Sequence, residues 1–439
     1  MHTGPLVPSR LPPLPRLLPP LVLAFVAAVF AVGLWLDADG VVLGTPRPPL
    51  AFDVDVRVSL GWLVVAVVVV AACVAVGASA RLRALRPVPF ALAILGLALL
   101  VRLAVGAIRF GPEGWDEPWN ESFNAKNEYV PALPALDHLG VRFFLDHFDT
   151  LLPALPVHAA GHPPGLLLVL HWLGLSSPGS ASALAIVVGA LAVPATYVLA
   201  RRALGDEERA RIAGLLAALA SASTLMGVTS ADIVYAALGA GAAVLLLGRA
   251  PGRAAAGGGA ALAVASFFSY AVLAIGAWAA LVRLLREGWR TALVVALGCG
   301  VALVVLYVAL WAGTGFQLQD VVVATEDVYR ESVARLRPYA FWLFGSPAAF
   351  LAFCGLPITW YAARALGERR PVAVALFVVI FISAVGGFTK AEVERIWLMY
   401  VPVMCVAAAA VVPPRRVPLV LALLALQSVV VECLFGTVW

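Results

Sequence analysis

Apolar runs of membrane-spanning length, separated by short polar connections, recur along the entire chain. A helix of about 20 residues crosses roughly 30 Å of hydrocarbon, which is the thickness of a typical bilayer core. The period-two alternation that a membrane barrel needs is absent, so helices are favoured. The pattern therefore predicts an all-α polytopic membrane bundle of about thirteen transmembrane helices. The candidate spans are residues 17–36, 60–79, 88–108, 181–200, 213–228, 233–247, 254–268, 270–284, 291–312, 339–361, 371–387, 396–412 and 418–435.

Short arginine-rich connections predict which loops share a side of the membrane, because basic loops mark the cytoplasm. With the N-terminus in the cytoplasm, the span order places all of these loops there: residues 81–86, 201–211, 249–253, 283–290, 364–370 and 415–416. Four loops are then expected on the outer side: residues 37–59, 109–180, 313–338 and 388–395. Residues 254–284, which have arginines at both flanks, form either two short spans or a re-entrant hairpin. Residues 17–36 are expected to be a retained span and not a cleaved signal.

Composition excludes an ordinary water-soluble protein. Of the 439 residues, 62% are hydrophobic and only 13% are charged, and the mean hydropathy is +0.97. A soluble domain carries about a quarter of charged residues. The net charge of +5 comes from arginines in short loops, which indicates topology and not a nucleic-acid surface. We therefore expect one integral membrane domain over residues 1–439, and the five widely spaced cysteines are expected to be buried thiols.

The long connection at residues 109–180 is expected to carry juxtamembrane helices on the outer face. Within it, residues 131–148 space their apolar side chains like one amphipathic helix lying on the membrane. Residues 163–174 are apolar but too short to span, so they are expected in the interface. The chain has no P-loop, no dinucleotide-binding glycine motif and no zinc-ligand spacing.

Three short motifs bring polar side chains to this outer face. An Asn-Glu-Tyr sequence at 127–129 lies in the long loop, a His-Pro-Pro sequence follows at 162–164, and Ser-Ala-Asp at 230–232 opens a later span. The topology places two carboxylates and an imidazole at one membrane boundary. Transfer of a group to a hydroxyl needs a base for the proton, and cations or donors to hold a phosphate leaving group.

The order of these motifs resembles the glycosyltransferase C superfamily, most closely its protein O-mannosyltransferase and lipid A aminoarabinose transferase group. In that group an Asp-Glu pair opens the first large outer loop, a His-Pro-Pro or Lys-Pro-Pro motif closes it, and a Ser-Pro-Asp-like motif follows two spans later. The similarity covers about residues 88–247. It implies that Glu128 is catalytic and that His162 and Asp232 contact the substrates. Lys126 and Tyr129, which lie next to Glu128 in the sequence, are also assigned to substrate binding.

The resemblance implies a membrane enzyme that moves a sugar, hexosyl or pentosyl, from a polyprenyl-phosphate donor to a glycan, lipid or protein acceptor. The reaction is expected at the extracytoplasmic face of the cell membrane, by a single displacement that inverts the anomeric centre. Whether Asp232 and the acid loop bind a divalent cation, Mg²⁺ or Mn²⁺, is left open, and no metal ligand is assigned.

Three departures from the family pattern leave the identity of the catalytic base open. Asn127 stands where the family has its catalytic aspartate, Ala231 replaces a proline, and two additional spans precede the acid loop. The pair Asp116 and Glu117 is therefore a competing catalytic candidate. The carboxylate at position 232 could also be a plain helix N-cap. The other histidines of the outer loop are expected to be structural or interfacial: His138, His147, His158 and His171.

A second charged cluster occupies the short outer connection at residues 389–397. Its charged members are Lys390, Glu392, Glu394 and Arg395, and all four are assigned to substrate binding. The two cations suit a lipid phosphate at interface depth, since arginine binds it bidentately and lysine acts as a point charge. The alternative is a self-neutralising turn with acid–base pairs at helical spacing.

The competing functional class is a transporter or flippase of a lipid-linked or amphiphilic substrate. It predicts charges inside the spans and helices that are broken at the midplane. The spans are nearly free of acidic residues and lysine, and the polar groups gather at one face, which favours interfacial chemistry. A non-catalytic scaffold would leave the outer carboxylates far apart.

Overall fold

A computed structural model describes residues 14–120 and 125–437, and helix is the regular structure throughout these ranges apart from two isolated β-bridges. The all-α prediction is confirmed. The α-helices are α1 (Leu14–Ala38), α2 (Leu60–Ala78), α3 (Ala80–Arg83), α4 (Pro87–Gly106), α5 (Leu133–Leu139), α6 (Val141–Asp146), α7 (Phe148–Leu151), α8 (Val157–Ala160), α9 (Gly165–Trp172), α10 (Pro178–Ala190), α11 (Ala192–Leu204), α12 (Glu207–Leu219), α13 (Ser221–Thr229), α14 (Asp232–Leu246), α15 (Pro251–Arg253), α16 (Gly259–Ser266), α17 (Leu273–Glu287), α18 (Trp289–Thr314), α19 (Leu318–Glu331), α20 (Tyr339–Cys354), α21 (Leu356–Gly367), α22 (Pro371–Gly386), α23 (Val393–Ile396), α24 (Val401–Ala409) and α25 (Val417–Leu434).

Shorter helical turns join these elements. One π-helical turn, Ala254–Gly258, precedes α16. The 3₁₀ turns are Gly111–Trp115, Glu117–Trp119, Ala125–Asn127, Val130–Ala132, Leu152–Ala154, Tyr270–Val272, Val333–Leu336, Leu398–Tyr400 and Pro414–Arg416.

The described residues contain six segments that are long and apolar enough to cross a membrane: Arg16–Ala38, Leu60–Ala78, Pro87–Gly106, Pro178–Leu204, Trp289–Thr314 and Pro414–Leu434. Two bent pairs, α12 with α13 and α20 with α21, raise this number to eight if each pair is one span. A multi-pass membrane protein is therefore supported, with fewer full-length spans than the thirteen predicted. The other five predicted spans contain α-helices of 8 to 16 residues, namely α14, α16, α17, α22 and α24.

Two short helices, α12 and α24, lie in the interior of the bundle, whereas the long helices α1, α2 and α18 lie at its periphery. Every residue of α24 is buried, as is α12 from Ala210 to Leu219. In contrast, only 11–22% of the apolar windows of α1, α2 and α18 are buried. A helix that is enclosed by protein does not have to match the thickness of the hydrocarbon, which explains why the inner helices can be short.

Small residues allow these helices to pack closely. A Cβ atom on Gly259 would lie 2.8 Å from the Gly298 carbonyl oxygen, and one on Gly298 would lie 2.6 Å from the Ala255 Cβ. Larger residues at these positions would separate α16 from α18. Close backbone approach of this kind is the usual source of helix association within lipid.

Contacts between loops sort them into two ends of the bundle. At the arginine end, guanidinium groups donate to carbonyls of neighbouring connections: Arg211 to Arg83, Arg286 to Ala203, Arg283 to Leu246 and Arg209 to Ala409. At the opposite end, which we call the site end, contacts join all four loops predicted to be outer: Arg109 with Asp55, Arg337 with Gly44, Glu394 with Ala51, and Arg337 with Glu392.

The amphipathic segment predicted at residues 131–148 is divided. It forms α5, α6 and the start of α7, with breaks at Gly140 and His147. Gly140 has φ 76° and ψ 151°, a backbone conformation that ends a helix and that residues other than glycine rarely adopt. The prediction of one continuous helix was wrong because the apolar spacing continues in phase across this break.

Candidate functional site

A cavity of about 1950 Å³ lies at the site end. Its apolar wall includes Leu303, Val304, Val308 and Trp311 of α18, and Phe388 after α22. Charged and polar side chains line another part of it: Asn127, His158, His162, Glu326, Tyr329, Arg330, Arg335, Arg337, Lys390, Glu392 and Arg395. One cavity therefore offers an extended apolar surface next to a cluster of ionisable groups.

Glu128 reaches this cavity through a histidine. Its carboxylate is buried, and its Oε1 lies 2.7 Å from Nδ1 of His158, a residue of α8 that lines the cavity. Glu128 itself is not part of the lining. The pair resembles the carboxylate–imidazole arrangement in which the acid orients the ring and stabilises its protonated form.

Asp232, the first residue of α14, holds a second ion pair. Its Oδ2 accepts from Nη1 of Arg395 at 2.7 Å and from the Ser230 hydroxyl at 2.9 Å. Nε2 of His162 lies 3.6 Å from its Oδ1. Asp232 is the first residue of α14 and not its N-cap, because the N-cap position is occupied by Ala231. The motifs that begin at positions 162 and 230 thus meet the 389–397 loop.

Two tyrosines connect the acid loop to α14. The hydroxyl oxygens of Tyr129 and Tyr235 are 2.6 Å apart, and both side chains are buried. The ring of His162 lies 4.9 Å from that of Tyr235 and 6.5 Å from that of Tyr129. This contact joins the Glu128–His158 pair and the Asp232–Arg395 pair into one structural unit.

Glu392 and Lys390 join the remaining basic groups. The Glu392 carboxylate accepts from Nη2 of Arg337 at 2.5 Å and from Nη2 of Arg395 at 2.7 Å. The Lys390 ammonium donates to the carbonyls of Ala334 and Arg337 at 2.9 Å each. The cluster holds three cations near one another, with the Glu392 carboxylate between the two arginines and the Asp232 carboxylate against Arg395.

Burial and charge shift the pKa values of these groups in opposite directions. Burial lowers the pKa of His162 to about 4 against the opposing effect of Asp232, so its ring is neutral at pH 7. For Glu392 the two guanidinium groups outweigh the cost of burial and hold the pKa at about 2. Burial, followed by Arg337, lowers the pKa of Lys390. Burial raises the pKa of Glu394 to about 7.

Several predicted site residues lie away from the cavity. Asp116 lines a separate pocket of about 380 Å³ next to the start of α10, and Glu117 lies close enough to Arg57 to interact electrostatically. The Glu394 carboxylate accepts from the backbone N–H of Ala51 at 2.9 Å and is not in the cavity lining. Lys126 is exposed and outside the lining. The competing pair Asp116 and Glu117 is therefore not brought together with the histidines.

Sequence reasoning missed two residues of this cluster. His158 was expected to be structural, yet it lines the cavity and contacts Glu128. Its closeness in sequence to His162 was a usable signal, since both histidines line the cavity. Arg337 gave no distinct signal, because it is one of several arginines in the 313–338 loop.

A divalent cation does not fit the groups proposed for it. No group of three or more His, Cys, Asp or Glu side chains that could hold a metal ion occurs among residues 14–120 and 125–437. Asp232 is already paired with Arg395, and a guanidinium in this position opposes a second cation.

Comparison with known proteins gives no family for this chain. No protein-family model matches it, and no curated protein matches it. Function therefore has to be argued from the sequence motifs and from the geometry of the cavity.

Proposed function

We propose that this protein is a membrane glycosyltransferase that moves a sugar from a polyprenyl-phosphate donor to an acceptor hydroxyl at the extracytoplasmic face. The observation that carries the proposal is one cavity in which an apolar wall lies next to His158, the histidine paired with Glu128, and to three neighbouring cations. An amphiphilic donor needs all three features: apolar surface for its carrier, positive charge for its phosphate, and a base for the acceptor.

The reacting groups have distinct roles in this proposal. His158 takes the proton of the acceptor hydroxyl, and Glu128 orients the ring and stabilises its positive charge. The acceptor oxygen forms a bond to the anomeric carbon while the bond from that carbon to the phosphate oxygen breaks. The carrier phosphate departs with the electron pair, stabilised by Arg395, Arg337 and Lys390. The anomeric centre is inverted because there is one displacement.

The proposal includes a membrane topology in which some helices shorter than a full span also cross the membrane. We infer that the chain crosses the membrane thirteen times, with the inner short helices α14, α16, α17, α22 and α24 completing five of the crossings. The arginine end faces the cytoplasm in this arrangement, since basic loops are retained there, and the cavity faces outwards.

Transfer of a labelled sugar is the direct test. Membranes containing the protein are supplied with polyprenyl-phosphate sugars that differ in the labelled sugar, and covalent incorporation of label into any acceptor is measured. At least one donor is expected to give incorporation that requires the protein. If the complete set of hexosyl and pentosyl donors leaves all label on the carrier, the enzyme assignment is wrong.

A second candidate, a transporter of an amphiphilic substrate, is favoured by one part of α4 and its neighbours. Arg102 of α4 is fully buried against Gly227 of α13, and its guanidinium nitrogens have no hydrogen-bond partner among the described residues. The adjacent α12–α13 pair is bent by 46°. Charged residues within spans and broken helices are typical of transporters. Movement of labelled lipid between leaflets of proteoliposomes, without covalent transfer, would support this candidate.

A further inference from the structure

The Glu392 carboxylate occupies a position between two arginines that belong to different parts of the chain. Nη2 of Arg337, from the turn after α19, contacts one of its oxygens, and Nη2 of Arg395, from α23, contacts the other. Two N–H donors that hold the two oxygens of one carboxylate are also spaced to hold two oxygens of a phosphate group. Glu392 lines the cavity, so this position can be reached by a ligand.

Each arginine is also held by contacts that do not involve the Glu392 side chain. Nη1 of Arg395 donates to Asp232 at 2.7 Å. Nη1 of Arg337 donates to the Lys390 carbonyl at 2.7 Å, and its Nε contacts the Gly44 carbonyl at 3.4 Å. Removal of the Glu392 carboxylate therefore leaves both guanidinium groups with a fixed position. A preformed pair of donors of this kind loses little ordering entropy when it binds an anion.

The backbone at Glu392 is strained. Ala391 has φ 67° and Glu392 has φ 56°, although neither is a glycine. A non-glycine residue in this left-handed region is strained, and such strain persists only where the surroundings impose it. Here the surroundings include the two arginines, which hold the side chain of Glu392 in the cavity.

We propose that Arg337 and Arg395 form a binding site for a phosphate group, and that the Glu392 side chain occupies this site until a phosphate replaces it. Glu392 is then a competitor of the ligand and not one of its binding groups. The ligand is a phosphate monoester or diester, carried by a lipid headgroup or free in solution. The inference rests on the proposed function only in expecting the phosphate of the lipid carrier.

The test compares the full-length wild-type protein in nanodiscs with the Glu392→Gln variant. The amide keeps the size of the side chain but removes the charge that competes with phosphate. We expect polyprenyl phosphate to bind at least about tenfold more tightly to E392Q at low ionic strength, and high salt should reduce the difference. The matched control is Glu326→Gln, because Glu326 lines the same cavity but pairs with Arg330 on the exposed α19.

Ligand-induced stabilisation keeps the test valid if the variant is less stable. E392Q leaves the buried Arg337 without its carboxylate, so a lower Tm in the absence of ligand is expected. Phosphate should then raise the Tm of E392Q by more than it raises that of the wild type. Glu392→Asp retains the charge but shortens the side chain, so it should show a smaller gain in affinity.

Two probes distinguish the source of the phosphate. A gain in E392Q for polyprenyl phosphate supports the site and assigns it to a lipid headgroup, whereas a gain for inorganic phosphate alone supports the site and assigns a free phosphate. Weaker or unchanged binding of both probes would overturn the proposal. The outcome is independent of sugar transfer, since an inactive protein can still show the gain in binding.

Discussion

At the scale of single residues, the two oxygens of Glu128 have different surroundings. Oε1 is bonded to His158, but Oε2 is buried without a hydrogen-bond partner among the described residues. An unsatisfied buried carboxylate oxygen costs roughly 1–3 kcal/mol or more, and it is usually retained for a purpose. In the proposed reaction this purpose is to stabilise His158 after it takes the proton of the acceptor, because the free carboxylate charge favours a positively charged ring beside it.

Replacement of Glu128 by glutamine tests this role. The glutamine oxygen can still accept from Nδ1 of His158, so the fold should be retained, but the negative charge that stabilises the imidazolium is lost. Transfer is expected to fall by roughly 10²–10⁴-fold, the usual contribution of a general base, because His158 loses the charge that supports it in this role. The measurement is the rate of label transfer in membranes that contain equal amounts of folded protein.

The competing candidates Asp116 and Glu117 provide matched controls for this variant. Both lie outside the cavity, so Asp116→Asn and Glu117→Gln should transfer the sugar at wild-type rates. Full activity in E128Q together with inactivity in either control would reassign the catalytic carboxylate to the upstream pair.

The buried Glu394 carboxyl group is expected to make the stability of the fold depend on pH. Its pKa is about 7 in the folded chain, against 4.5 as the ordinary value, because burial disfavours the charged form. The folded state therefore binds this proton more tightly than the unfolded state. Stability from this group is complete below pH 4.5 and is lost as the pH rises towards 7, by about 3 kcal/mol in total.

The Glu394→Gln variant cannot ionise at this position, so it should lack this loss. We expect the Tm of E394Q, relative to the wild type, to be higher at pH 8 than at pH 4.5 when both are unfolded in the same detergent. In Glu326→Gln, whose side chain is 42% exposed in the wild type, the relative Tm should not change with pH. A relative Tm of E394Q that is constant or falls with pH would contradict the assignment.

The residues of the site show what a sequence can reveal at this scale. Residues 128, 162, 232 and 395 were selected from short motifs and loop charges, and the structure brings them into one connected cluster. His158 and Arg337 were missed, since their importance depends on contacts between distant parts of the chain. A motif can select candidate residues, but the partner of a buried carboxylate depends on packing.

At the scale of elements, apolar spacing located the segments but could not determine where helices break. The spacing over residues 131–148 is helical on both sides of Gly140, and only the φ and ψ of this glycine divide the segment into α5 and α6. The same limit applies to α20 and α21, which the sequence joined into one span although they are bent by 113° at Gly355. Hydropathy averages over such breaks.

Substitution of Gly140 by alanine tests the break between α5 and α6. No neighbouring atom lies within 4 Å of an added Cβ, so the effect comes from the backbone alone. Because φ 76° with ψ 151° is strained for alanine, G140A should lower the free energy of unfolding by roughly 1–3 kcal/mol.

Gly241 is the control for Gly140, because it also has open space for a Cβ but lies inside α14. Alanine is favoured over glycine in a helix interior, so G241A should raise stability by roughly 0.5–1 kcal/mol. Both variants are compared by chemical unfolding in detergent. Equal effects of the two substitutions would show that the conformation of Gly140 is not what divides the segment.

At the scale of the whole molecule, the sidedness of the loops could be predicted better than the lengths of the helices. The distribution of arginines predicts two groups of connections. Contacts within each group, such as Arg211 with Arg83 in one and Arg337 with Gly44 in the other, reproduce this separation. The helix lengths were less predictable. An inner helix such as α24 is enclosed by protein, so its length follows from packing and not from the thickness of the lipid.

Accessibility from the two sides of the membrane tests the proposed orientation. Arg142 is exposed on α6 at the site end, and Glu208 is exposed at the start of α12 at the arginine end. In intact cells, a membrane-impermeant maleimide should react with the Arg142→Cys variant. It should react with Glu208→Cys only after the membrane is permeabilised, because basic loops are retained in the cytoplasm. The native cysteines give a low background, since four are buried and Cys433 is partly buried. If E208C reacts in intact cells and R142C does not, the bundle has the opposite orientation. The cavity would then lie on the cytoplasmic side, where the proposed extracytoplasmic transfer cannot occur.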